Sequence, residues 1–177
     1  NNEIGAIEPV EEIGKIVKSF DPKILFHTDC IQAYGKLNCY PKKWKADMIS
    51  VSGHKIHGPK GIGFIYIKNG TKIKPIIWGG NQQKGMRSGT ENVPGIAGLG
   101  KAAELIYENH EEKIAHIREI KDHFIKRVME EIPDVKDNSG DAPHVASISF
   151  LGVRSEVLLH ALEEREIHLI NRKSAVL

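Results

Sequence analysis

Three short apolar runs constrain this chain more than any other feature: KILFHTD at 23–29, ADMISVS at 46–52 and GIGFIYIK at 61–68. The first two read as buried strands that end on polar residues, and the third is rich in β-branched and aromatic side chains. Ahead of them Val10, Ile13, Ile16, Val17 and Phe20 recur at helical spacing, with Pro9 in the first turn. Glu11 and Lys15 stand four apart and can pair on the wet face. Helix, strand, strand, strand suits an open α/β sheet, in which ligands sit beyond the carboxyl ends of the strands. Asp29 and Ser52 fall at such ends, and Lys55 comes three residues after the second.

The remainder reads differently. IKPIIW (73–78) predicts a weaker fourth strand, since Pro75 favours an edge or a bend. Residues 79–100 are glycine-rich and predict a long loop running into a helix, a kind of loop that is usually functional or disordered. From 97 to 131 the pattern is helical, with Ile114, Ile117, Phe124 and Val128 on one stripe. HVASISF (144–150) alternates like a strand, SEVLLHALEERE (155–166) reads as a helix with Ser155 as its cap, and IHLI (167–170) as a short strand. The expected organisation is residues 1–110 as one domain portion and 111–177 as a small α+β domain.

Composition closes off several functions. A formal net charge of +2, with lysines scattered rather than clustered, argues against nucleic acid as a partner. No apolar run is long enough to span a bilayer. Two cysteines, Cys30 and Cys39, are too few for a disulfide framework, so a reducing, cytoplasmic setting is expected. The opening NNEIGAIEPVEEIGKIV supplies no strand before its helix and reads as the middle of a domain.

Lys55 stands between His54 and His57, with glycines at 53, 58, 61 and 63. It is either a surface lysine in a turn or a lysine whose amine condenses with the aldehyde of pyridoxal phosphate. That cofactor needs a carboxylate at its ring nitrogen and donors for its phosphate. Asp29 can supply the first; Ser52, His54 and the backbone N–H groups of the turn can supply the second. A nucleotide-binding loop fails here: Gly53 and Gly58 have its spacing, but Pro59 occupies the lysine position and no Ser or Thr follows Lys60. A metal site drawn from His27, Cys30, Cys39, His54 and His57 lacks any recognised ligand pair, so each histidine reads as a core residue or a neighbour of the cofactor. Cys30 follows Asp29 directly and would face the opposite way as a small buried residue, and Cys39 has no flanking base.

Four stretches, NNEIG (1–5), HTDCIQAYGK (27–36), SGHKIHGPKGIG (52–63) and GMRSGTEN (85–92), occur in an order and spacing that is strongly specific. The chain resembles the cysteine desulfurases of the iron–sulfur cluster and nitrogenase-associated type, which are class V aminotransferase-like enzymes that use pyridoxal 5'-phosphate. The resemblance implies part of the fold-type I large domain, a mostly parallel sheet with flanking helices, followed by a small C-terminal domain. It implies that Lys55 holds the cofactor and later moves protons, and that Asp29 pairs with the pyridinium nitrogen. By the same resemblance Gln32 bonds the phenolic oxygen, Ser52 and His54 bind the phosphate, and Asn2 helps hold the substrate carboxylate. Thr90 would reach the phosphate held by another subunit, which implies a homodimer. The substrate would be L-cysteine and the sulfur acceptor an iron–sulfur scaffold or similar protein.

Members of that family are roughly twice this length, as a large and a small domain together would be. The portion ahead of residue 1 would carry a histidine that stacks on the cofactor ring and a further phosphate-binding loop. A catalytic-cysteine loop is expected after the strand matching REIHL, near 169–171, and the tail INRKSAVL resembles the sequence found after that loop in the family. Neither Arg154, Arg165 nor Arg172 matches the context of the family's substrate-carboxylate arginine. The 177-residue chain alone is therefore expected to be inactive. Two other readings stand beside the desulfurase: a non-catalytic fragment or degenerate homologue that binds partners, and a selenocysteine lyase or other class V pyridoxal enzyme.

Overall fold

The structure, a computed structural model, describes residues 1–170. Its elements are α1 (Val10–Phe20), β1 (His27–Asp29), β2 (Met48–Ser52), β3 (Gly63–Ile67), α2 (Val93–Tyr107), α3 (His110–Glu131), β4 (Val135–Asp137), β5 (Ile148–Phe150) and α4 (Ser155–Glu163). They fall into two compact units. One comprises Asn1 and Ile7–Ala115; the other comprises Asn2–Ala6 and the chain from His116 onward.

In the first unit β1, β2 and β3 form one sheet in that order. β1 and β2 are parallel, with Asp29 opposite Ser50. β2 and β3 are antiparallel, with Ser52 opposite Gly63. The α/β class holds, but the sheet within this chain is mixed. The reason lies in residues 53–62, which contain a 3-10 turn (Gly53–Ile56) and no crossover helix. A parallel return needs such a helix, whereas a tight turn brings the strand back antiparallel. One face of the sheet is dry: Ile49 and Val51 pack with Cys30 and Ala46 as a buried cluster, flanked by Phe26, Tyr34, Cys39 and Trp44. A second cluster, Ile56, Leu99 and Ala102, seats the turn after β2 on α2.

Helix α1 turns an unexpected side inward. Its buried position is Gly14, while Ile16 and Phe20 are 70% and 85% exposed. A Cβ at Gly14 would lie 1.9 Å from the Trp44 carbonyl oxygen. The helix backbone thus rests directly on the 44–45 turn, and only glycine permits that approach. Gly14→Ala is expected to destabilise by about 1–3 kcal/mol, as overpacking does, despite alanine's better helix propensity. Gly100→Ala on α2, where an added Cβ meets nothing within 4 Å, is expected to stabilise by about 0.5–1 kcal/mol. Urea midpoints that moved the same way for both variants would refute the close-contact argument.

The expected Glu11–Lys15 pair forms, at 2.6 Å. Other expectations are corrected. The strand at 23–29 is confined to His27–Asp29. No strand forms at 73–78, where Pro75 removes a donor and Ile76 and Trp78 stand exposed. The helical stretch at 97–131 is two helices that begin earlier: Asn92 caps α2 by accepting from Gly95 N–H at 3.1 Å, and left-handed Asn109 (φ 52°) separates α2 from α3. Ser155 lies inside α4, whose cap position is Arg154 in extended conformation.

In the second unit β4 and β5 pair antiparallel, Val135 opposite Phe150. β4 was not expected from the sequence, and residues 167–170 form no strand. Lys121 Nζ ties the β4–β5 connection to α3 by donating to the carbonyls of Gly140 (2.6 Å) and Ala142 (2.9 Å). The segment Asn2–Ala6 joins this unit through Ala142 N–H, which donates to Gly5 O at 2.9 Å. Of the tail INRKSAVL (170–177) expected to come after a cysteine loop, residues 171–177, Arg172 among them, lie outside the described residues.

Candidate functional site

Alternation along the two parallel strands sorts the chemistry. His27 and Asp29 share one face of β1, and Ser50 and Ser52 share one face of β2. His27 Nε2 lies 2.9 Å from Ser50 Oγ, so these are the same face of the sheet. The intervening Ile49 and Val51 point into the dry core. The polar side chains therefore converge where two strands run out together.

Beyond β1, one Asp29 carboxylate oxygen accepts from Ile31 N–H at 2.7 Å. This short turn holds the carboxylate at the strand end. Gln32 is half-buried in the same turn. Beyond β2, Ser52 Oγ lies 2.8 Å from His54 Nδ1, and Lys55 is exposed on the 3-10 turn. That turn is closed by Gly58 N–H, which donates to Gly53 O at 2.9 Å, and by left-handed His57 (φ 65°). Ile56, 1% exposed, pins it against Leu99 and Ala102. A Cβ at Gly63 would come within 2.4 Å of the Val51 carbonyl oxygen, so close pairing of β3 beneath the turn also depends on glycine.

Asp29, Ser52, His54 and Lys55 are thus brought to one end of one sheet. Thr90 lies exposed on the 79–92 loop of the same unit, steadied by buried Ser88, whose hydroxyl donates to Ile77 O at 3.2 Å. Asn2 is an exposed turn residue of the other unit. Among the described residues no group of three or more His, Cys, Asp or Glu side chains is placed to hold a metal ion, and no helix is long and apolar enough to cross a membrane.

Cys30 is 2% exposed in the core. Half-buried Cys39 donates its thiol to the Leu37 carbonyl at 3.7 Å, and the neighbouring Cys30 thiol together with burial pushes it far above the ordinary range. The same pairing pulls the Cys30 thiol below its ordinary range, but Cys30 is sealed in the core and Cys39 is held protonated, so neither is placed to attack a substrate. Both are expected to react with iodoacetamide at pH 7.5 far more slowly than a free thiol and at full speed in denaturant; rapid labelling of the folded protein would contradict the packing.

Sequence reasoning missed two features. Lys36 Nζ donates to the Lys55 carbonyl at 2.6 Å. Buried Asp47 is ion-paired with Lys18 and accepts from Phe26 N–H at 2.9 Å. Neither residue carries a local signal, because each partner is remote in sequence.

The Aminotransferase class-V family profile matches residues 1–173. The chain belongs to the class V aminotransferase family. It is 44% identical over 168 residues to "Cysteine desulfurase IscS" of Clostridium botulinum (strain Hall), covering 92% of this chain and 42% of that protein. It is 45% identical over 164 residues to "Cysteine desulfurase IscS" of Dictyoglomus turgidum, covering 90% and 41%. Among solved structures, a "NifS-like protein" superposes with a TM-score of 0.92 at 36% identity, covering 97% of this chain and 47% of that one. This class V chain therefore spans about two fifths of the length of the curated relatives it matches.

Proposed function

We propose that this chain is the lysine-bearing portion of a pyridoxal-phosphate-dependent cysteine desulfurase, which takes sulfur from L-cysteine as an enzyme persulfide and leaves L-alanine. The observation that carries the reading is the convergence of Asp29, Ser52, His54 and Lys55 beyond adjacent parallel strands. The residues fit the cofactor in donor chemistry: a carboxylate for a ring N–H, a hydroxyl and an imidazole for a phosphate, and an exposed amine for an aldehyde. When bound, the cofactor supplies the electron sink that weakens bonds at the substrate's α-carbon.

The chain's own residues do the rest. Asp29, one oxygen already tied to Ile31 N–H, offers a fixed negative charge that keeps the ring nitrogen protonated. Ser52 and His54, set 2.8 Å apart, share one hydrogen bond and turn their remaining polarity to the phosphate. Lys55 Nζ anchors the cofactor and then carries a proton to and from the substrate's α-carbon. Gln32 bonds the phenolic oxygen, Asn2 assists at the substrate carboxylate, and Thr90 serves the phosphate of a second subunit in a homodimer. The first unit is then the C-terminal part of the cofactor-binding domain, and the second the small domain. The persulfide forms on a cysteine other than Cys30 and Cys39, since Cys30 is buried and half-buried Cys39 is held in its protonated form. The acceptor is an iron–sulfur scaffold or comparable sulfur acceptor in the cytoplasm.

The test is native borohydride reduction of the purified protein with pyridoxal phosphate, followed by peptide mapping. One reduced pyridoxyl group on Lys55 is expected. A label on any other lysine, or none, overturns the assignment.

A further inference from the structure

The segment between Asp29 and Lys36 has a second end. It leaves β1 with the Asp29 turn, folds back through Tyr34 N–H donating to Cys30 O at 2.8 Å and Lys36 N–H donating to Ala33 O at 2.9 Å, and returns to the turn after β2. There Lys36 Nζ donates to the Lys55 carbonyl at 2.6 Å. That carbonyl lies in the last residues of a 3-10 turn, where carbonyls look for partners outside the helix and favour a cation.

Lys36 is itself held in place. Gly35, before it, is buried at φ +75°, and an added Cβ would meet Ile106 Cγ1 at 2.8 Å and Ile56 Cγ2 at 3.1 Å. The Gly35 N–H donates to the Tyr107 hydroxyl at 3.3 Å, and His110 Nε2 lies 3.2 Å from the Gly35 carbonyl oxygen. A half-buried ammonium on so fixed a backbone is not a solvated surface charge. Burial, and after it the charge of Lys55, pull the proton affinity of Lys36 below that of an ordinary lysine.

We propose that Lys36 is a positioning residue for Lys55: by gripping the Lys55 carbonyl it fixes the backbone that carries the reactive amine, and ties it to the segment that carries Asp29. The inference rests on the reading of Lys55 as the cofactor lysine. With its Nζ engaged at the Lys55 carbonyl, Lys36 acts through the turn. A charge-assisted hydrogen bond is among the stronger ones available to hold a turn.

The experiment measures how fast the cofactor-free, full-length protein covalently captures added pyridoxal phosphate, read as borohydride-trapped mass on Lys55. Lys36→Met, similar in length but without a donor, is expected to capture about tenfold more slowly, and Lys36→Arg within about twofold of the parent, given the strength of bonds to charged groups. In both variants the label still maps to Lys55. Capture by Lys36→Met at the parent rate overturns the inference, as does an equal loss in the Arg variant. A purely structural Lys36 would lower the melting midpoint of the cofactor-free protein and leave the capture rate of the folded fraction unchanged, which also overturns it. Should the Met variant not fold, Lys36→Gln, too short for the full reach, takes its place with the same expectation. Failure of the underlying reading looks different: the parent's label then maps away from Lys55.

Discussion

Lys55→Ala is expected to abolish covalent attachment of pyridoxal phosphate to the full-length protein and to lower sulfide release from L-cysteine by at least ~10²–10⁴-fold. That range is what a positioned proton-transfer group alone contributes; loss of the anchor adds to it. The fold is expected to survive, because Lys55 is exposed and the neighbour that seats its turn is Ile56, 1% exposed. Phosphate binding is expected to survive in part, since Ser52 and His54 lie in or before the turn and not on the lysine side chain. The variant should therefore still bind the cofactor reversibly, with an absorbance unlike that of the anchored form. An unchanged absorbance and unchanged turnover would refute the role given to Lys55.

Lys18→Met is expected to produce the largest loss of stability, about 3 kcal/mol. Breaking a buried ion pair from one side costs about 3–5 kcal/mol, because the partner is left charged and poorly solvated. The side chains of Lys18 and Asp47 are only 11% and 7% exposed. The lower end applies because Phe26 N–H still donates to Asp47, and Lys68 stands 3.9 Å away. Burial works against ionisation of Asp47, but Lys18, the Phe26 N–H and Lys68 outweigh it, and the carboxyl is held below its ordinary value. A depressed folded value means stability that is present above the unfolded carboxylate range, near pH 4, and is lost as pH falls through the folded value. The gap in urea midpoint between parent and Lys18→Met should thus narrow from pH 7 towards pH 3. A gap independent of pH would show that Lys18 acts through packing alone.

The parts of this protein visible in its sequence are those whose cause is local. Strand β2 was visible because ADMISVS is a short apolar run that ends on a polar residue. The candidate site was visible because Asp29, Ser52 and Lys55 each sit within three residues of a strand end, where topology gathers them. The hidden parts depend on distant partners. The direction of β3 was set by the absence of a crossover in residues 53–62 and not by its own composition. The inward side of α1 was set by the Trp44 carbonyl, which selected Gly14 over the more obvious Ile16 and Phe20. Lys36 and Lys18 look like any other lysines until the fold brings Lys55 and Asp47 to them, 19 and 29 residues away in the chain.

The alternation of β1 and β2 also bears on how such a protein changes over time. Odd-numbered His27 and Asp29 and even-numbered Ser50 and Ser52 share the face of the sheet that carries the proposed cofactor site, while Ile49, Val51 and Cys30 pack together in the core. Under the proposed function, neighbouring codons answer to different selective demands: one set to the cofactor, the next to whether the chain persists at all. A substitution scan scored separately for abundance and for cofactor capture should give two sawtooth profiles along 27–30 and 49–52, out of phase by one residue. Specificity can then drift on one face of the sheet without passing through an unfolded ancestor.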